Sequence, residues 1–260
     1  MKNTTRTIGK IASLGLAGIL ATTTVSTKAD DGESPSAGAA DVSVEKETFS
    51  LKPSNFSVGT SWHSRYMGTY GFTLSEGPVI QSDMGFNIGK LSYNLWGNYD
   101  MKNGLNELDN SLTLNLETEN FRIRPEFYWF TFPNTELEDA YTLGVSVQTK
   151  KLPVDVTFTA VQSYGEISHE GQLFQLKLSK NFPLTDRLTL GVESRLSYNN
   201  RYFVPDSGFS VAAIGLNVGA DLGRGYSLNA GVRAQKAIDD MHGVFKDHAA
   251  TFDLSLRKSW

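Results

Sequence analysis

The 260-residue chain carries 24 Lys+Arg against 28 Asp+Glu, a net charge of −4, no Cys, and an apolar fraction of 40% that is dispersed rather than gathered into long blocks. The lack of Cys excludes a disulfide framework, a thiolate metal site, a Cys nucleophile and a lipidated N-terminal Cys, and the acidic balance excludes nucleic acid, which needs a basic face to neutralise phosphates. With 24 Gly and only 8 Pro beside 15 Phe, 10 Tyr and 4 Trp, the composition suits many short strands joined by turns.

Residues 1–29 read as a secretory signal peptide. Lys2, Arg6 and Lys10 form its positive region, Ile11 to Val25 is an apolar core too short to span a bilayer, and the small residues Thr27 and Ala29 place cleavage after Ala29. Cleavage there removes four of the 24 basic residues and none of the 28 acidic ones, so the exported form carries a charge of −8. Residues 30–54, opening Asp30-Asp31-Gly32-Glu33, lack apolar periodicity and are expected to be a flexible acidic periplasmic lead-in, with Val42, Val44 and Phe49 available for docking.

From residue 55 to 260 the dominant period is two, which places alternate side chains on opposite faces of a strand. Leu112, Leu114 and Leu116 alternate with Ser111, Thr113, Asn115 and Glu117; Ile214, Leu216 and Val218 alternate with Gly215, Asn217 and Gly219. The pattern predicts twelve strands, near 56–66, 79–88, 91–99, 110–118, 121–132, 140–149, 154–164, 171–180, 188–200, 209–222, 226–236 and 248–259. Turns after the even-numbered strands are mostly tight, such as Gly89-Lys90 and Gly223-Arg224-Gly225, and those after the odd-numbered ones, such as Met67 to Pro78, are mostly longer. Even strand number, short periplasmic turns and longer outer loops predict an all-β, up-and-down antiparallel transmembrane β-barrel in a Gram-negative outer membrane, surrounded by lipid and lipopolysaccharide.

The last strand puts Phe252, Leu254, Leu256 and Trp260 on one face. Lys258 shares that parity and is expected at the interface, its stem reaching to the headgroups. A barrel ending on an aromatic resembles outer-membrane proteins whose last residue is read by the barrel-assembly machinery, which makes Trp260 the expected assembly signal. Trp62, Tyr66, Phe127, Tyr128, Trp129, Phe130 and Phe132 cluster at predicted outer strand ends, as an aromatic girdle requires. Tyr70, Phe72, Tyr202 and Phe203 offer an alternative, a sugar-stacking platform in the outer loops.

Ser64-Arg65-Tyr66 through Gly71, then Ser75, Gly77-Pro78-Val79-Ile80-Gln81 and Tyr93-Asn94-Leu95-Trp96-Gly97-Asn98, resemble the N-terminal part of the TorF-family porins, with Tyr70-Gly71 where that family carries Arg-Gly. The resemblance covers about residues 56–100 and implies a proteobacterial outer-membrane barrel with porin-like properties.

Inward parity collects Arg124, Glu126, Lys177, Glu193, Arg195, Arg233 and Asp253 near mid-height, with Arg65, Arg122 and Arg257 and the acidic Asp83, Glu117, Asp155 and Asp221 towards the ends, so that no single-sign funnel is expected. Twelve strands lie between filled eight-stranded barrels and sixteen-stranded aqueous porins, so this mixed belt either lines a narrow passage for small polar solutes or cross-links into a plug. The first reading is a porin-like channel; the alternative is a closed structural or docking barrel that holds a protein partner through its outer loops or lead-in. No enzyme, cofactor or metal is expected. His63-Ser64 sit on opposite faces, His169-Glu170 lacks a second His four residues on, and His242 and His248 belong to the last outer loop.

Overall fold

The computed structural model describes residues 56–68, 73–75, 77–165, 170–239 and 248–260. The expected signal peptide and lead-in, Tyr70, Phe72, His169, His242 and the side chain of His248 lie outside the described residues. The elements in chain order are β1 (Phe56–His63), β2 (Tyr66–Met67), β3 (Thr73–Ser75), β4 (Val79–Ile88), β5 (Leu91–Asp100), β6 (Gly104–Leu114), β7 (Leu116–Glu117), β8 (Phe121–Thr131), β9 (Ala140–Thr149), β10 (Asp155–Tyr164), β11 (Gln172–Pro183), β12 (Leu188–Asn200), β13 (Ser207–Gly223), β14 (Tyr226–Ala237) and β15 (His248–Ser259).

β7 continues β6 beyond Asn115 and both pair with β8, while β2 and β3 form a separate small hairpin; the remaining strands complete a closed antiparallel barrel of twelve. Closure is the pairing of β1 with β15, from Ser57 opposite Ser259 to His63 opposite Asp253. A closed ladder satisfies the backbone internally, which hydrocarbon demands because an unpaired N–H or C=O costs several kcal/mol there.

The two faces are inverted relative to a water-soluble protein. Val58, Met84, Leu143, Phe158, Leu176, Ile214, Leu216, Phe252 and Leu254 are exposed, whereas Asn98, Thr142, Ser163, Gln175, Asn199 and Thr251 are buried. A continuous apolar outer wall around a polar interior is the pattern that lipid stabilises.

Strand positions agree with the period-two reading, with one large difference. The fourth predicted strand begins at Gly104 instead of 110, because the preceding outer connection is a turn of only three residues. Asp100 Oδ1 accepts from the backbone N–H groups of Lys102 at 2.8 Å and Asn103 at 2.9 Å, and Gly104 supplies a φ of +85° that a side chain would resist.

The girdle expectation is corrected in part. Phe127 is exposed on the outer wall, but Tyr128 stands opposite Ser111 and Thr142, and Phe130 opposite Asp109 and Ala140, all on the inward register. Tyr128 and Phe130 stack inside the barrel with centroids 5.8 Å apart and planes at 12°. A strand cannot present consecutive aromatics to one face, so the run divides between lipid and lumen. Lys258 lies at the end carrying the chain terminus, its ammonium hydrogen-bonded to the Arg224 carbonyl and 4.6 Å from the Tyr226 ring centroid.

Candidate functional site: the barrel interior

The strand register brings the mid-height charges onto the inner wall as two arcs. Arg124 and Glu126 come from β8, Lys177 from β11, Glu193 and Arg195 from β12 and Arg233 from β14. Lys177 stands opposite Arg195 in the ladder, and Glu193 opposite Gly215, which in turn faces Arg233. At mid-height this arc holds four cations and two carboxylates, and Asp155 at the start of β10 adds a third carboxylate that acts on Lys177. The other arc, β15, β1, β4, β5 and β6, holds Asp253, Asp83, Glu107 and Asp109, with Arg257 as its inward arginine.

Ion pairing is local to each arc. Arg195 Nη2 lies 2.7 Å from Glu193 Oε1, and Arg233 Nε 4.0 Å from the same oxygen. Arg257 donates to Asp83 Oδ1 at 2.8 Å and to Ser57 Oγ at 3.1 Å. Arg122 belongs to the tight-turn rim, where Glu117 accepts from it at 2.7 Å and from Lys150 at 3.1 Å. The charges are therefore mixed overall yet unevenly placed around the ring.

Glu107, Asp109 and Asp100 were outside the sequence-derived belt. Starting the strand at 110 left them in a loop, although Glu107, Asp109, Ser111 and Thr113 continue one inward row. Glu107 is 4% exposed.

Two outer connections bend into the mouth. In the first, Tyr66 and Met67 are buried, and the Tyr66 ring lies 5.7 Å from that of Trp96. The Tyr66 hydroxyl donates to Glu107, and Ser75 Oγ donates to Asp100. Asn98, Asn106 and Gln81 extend the network: Asn98 donates to Asn106 at 2.6 Å and accepts from Gln81 at 3.1 Å. In the second, between β12 and β13, Tyr202 and Val204 are only 1% and 2% exposed, with Tyr202 packed among Val161, Leu173 and Phe203. The sugar-platform expectation for Tyr202 and Phe203 is thereby corrected: Tyr202 is fully packed inside the mouth and Phe203 packs against it. Gly171 permits this close docking, since a Cβ there would stand 2.0 Å from the Arg201 carbonyl oxygen.

Below these connections the interior holds two cavities bordered by polar and charged side chains. A cavity of about 310 Å³ is lined by His63, Arg65, Trp96, Asp109, Tyr128 and Arg233 among others. A second, of about 150 Å³, is bounded by Arg124, Lys177, Arg195 and Glu126 with Thr157 and Gln175. Tyr128 borders both.

Ser61 Oγ and His63 Nε2 are 2.8 Å apart on the inward face of β1, a contact that the His63-Ser64 reading missed because residues two apart share a strand face. Asp253 is His63's ladder partner, but no hydrogen bond joins the two among the described residues. A nucleophile–base pair needs its base oriented by a third group, and here that link is open.

Neither a family model nor a curated protein matches the chain. Solved structures do. The chain is similar to the KdgM porin in complex with disordered oligogalacturonate (TM-score 0.55, 8% identity, covering 78% of this chain and 99% of that one). It is likewise similar to the NanC porin (TM-score 0.53, 6% identity, 79% and 100%). An outer membrane channel from Pseudomonas putida F1 also aligns (TM-score 0.51, 11% identity, 84% and 100%). At such identities the likeness is one of fold. The chain is an outer-membrane β-barrel of twelve strands. For a barrel of this kind, the outward Leu and Phe rows meet lipid and the inward charges meet whatever the lumen holds.

Proposed function

We propose that the barrel is a narrow porin-like channel for small polar solutes. The observation that carries this reading is the pair of polar cavities, about 310 and 150 Å³, that adjoin at Tyr128 and are bordered by charged side chains. A lumen built only for bracing would pair its charges, yet Lys177 and Arg124 have no ion pair or hydrogen bond among the described residues. Arg65, Arg122, Arg124, Glu126, Lys177, Glu193, Arg195, Arg233, Asp253 and Arg257 line the path in this reading. The TorF-like stretch at 56–100 supports the same assignment.

The test is single-channel conductance of the refolded mature protein in a planar bilayer, with ion selectivity taken from the reversal potential under a salt gradient. Steady conductance that changes on substituting Arg195 or Glu193 supports the channel. A silent but heat-modifiable barrel supports the second reading, a closed structural or docking barrel holding a protein partner. The apolar packing of Tyr202, Phe203, Val161 and Leu173 at the mouth is the specific observation in its favour.

A further inference from the structure

We infer that the smaller cavity is a stopping site for one small oxyanion head, a carboxylate or a phosphate, carried by a solute in transit. The inference rests on the channel reading and names a ligand chemistry for it. Five strands, β8 to β12, build the site, and three of them bring its charges: β8 contributes Arg124 and Glu126, β11 Lys177, and β12 Arg195.

Its lining carries three cations, Arg124, Lys177 and Arg195, against one carboxylate, Glu126. Glu193, the carboxylate nearest Arg195, is held at 2.7 Å by that guanidinium and shared at 4.0 Å with Arg233. Glu126 lies close enough to Arg124 to feel its charge, but its hydrogen bonds are accepted from Tyr128 and Ser146. Arg124 Nε is buried without a hydrogen-bond partner among the described residues, and no carboxylate lies within ion-pair distance of Lys177. The charges facing Lys177 are the cations Arg195 and Arg124 and the carboxylates Glu193 and Asp155, and neither carboxylate is close enough to pair with it among the described residues.

Desolvated cations in excess of their carboxylates and short of hydrogen bonds are costly, and an anion between them relieves both the repulsion and the unmade hydrogen bonds. Arg forks suit the planar or tetrahedral oxygens of carboxylate and phosphate, and a Lys ammonium adds a point charge. The volume of about 150 Å³ matches roughly five waters at about 30 Å³ each, enough for a head group and too little for a whole oligomeric solute. Thr157, Thr159 and Ser146 border the same space and supply hydroxyl donors.

The test uses the refolded mature barrel in detergent micelles, titrated calorimetrically with inorganic phosphate, with acetate and with chloride as the control. Phosphate and acetate are expected to bind and to raise the thermal midpoint, and chloride is not. Lys177→Met and Arg124→Gln should each weaken binding about tenfold or more, the size of one lost charge-assisted hydrogen bond, and Lys150→Met at the rim should leave it unchanged. Removal of an uncompensated cation should also raise the midpoint of the anion-free barrel, which guards against mistaking misfolding for lost binding. Wild-type barrel that ignores both oxyanions, or variants that bind them as tightly as wild type, overturns the inference. Binding in a barrel without conductance removes the channel reading and leaves the site; conductance with no oxyanion binding does the reverse. Preference for phosphate over acetate, or the opposite, distinguishes the two head groups.

Discussion

Phe203 meets Phe130 edge-on inside the barrel mouth, ring centroids 6.2 Å apart and planes at 86°, so the connection after β12 reaches across three intervening strands to touch β8. Tyr202 braces this contact with its ring 4.6 Å from that of Phe203. The packing is apolar and compact, and it holds the connection inside the mouth.

Replacing Phe203 by Ala should therefore undock the connection. Loss of a packed aromatic costs roughly 3 kcal/mol, which shifts an open–closed balance by about a hundredfold. Gly171→Ala should act in the same direction, because the added Cβ drives into the Arg201 carbonyl. Conductance and protease access to residues 201–206 check both; closed-state current unchanged in both variants would deny this segment any part in closing the mouth.

The face assignment predicts unequal neighbours. Leu216 is 47% exposed on the outer wall, and Asn217 points inward over Gly191. Leu216→Arg should destabilise the barrel by roughly 2 to 4 kcal/mol, and Asn217→Arg by far less. Reversible denaturant unfolding in lipid reports the difference; equal losses would contradict the assignment.

Glu193→Gln should leave Arg195 and Arg233 without their shared carboxylate. Stability should fall by roughly 1 to 3 kcal/mol, within the range for stranding a partly solvated charge. Because the lumen gains one net positive charge, the reversal potential under a salt gradient should move towards anion selectivity. A shift towards cations would show that Glu193 is not exposed to the permeating path.

The Trp260 ring packs against Phe56 at 5.3 Å between centroids, the residue's backbone N–H donates to the Phe56 carbonyl at 3.0 Å, and the Lys258 ammonium lies 5.3 Å from the indole ring centroid. Deleting it should lower micellar stability by about 1 to 2 kcal/mol through the lost ring and cation contacts. In cells the fraction inserted and heat-modifiable should fall much further, since the residue is expected to be read during assembly. Matching losses in both settings would confine Trp260 to a clasp on β1.

Much of the fold is legible because a barrel strand has two solvents. Phe252, Leu254 and Leu256 against Thr251, Asp253 and Ser255 declare lipid and lumen residue by residue, and the period of two slips only locally, at bulges such as those beside Tyr99 and Tyr198. The inward belt from Arg124 to Asp253 followed from the same parity. Legibility failed where the chain turns. Asp100 tightens an outer connection to three residues through its own carboxylate, and so Glu107 and Asp109 passed for loop when they stand on the inner wall.

Sequence alone thus determined the strands, their faces and the membrane they suit, because each depends on one side chain and its solvent. Pairing of Glu193 with Arg195, the crowding of Arg124 and Lys177, the contact of Ser61 with His63 and the inward packing of Tyr66 and Tyr202 were decided only by tertiary structure. They depend on ladder register and on where loops fold back, and these join residues from strands that are distant in the chain.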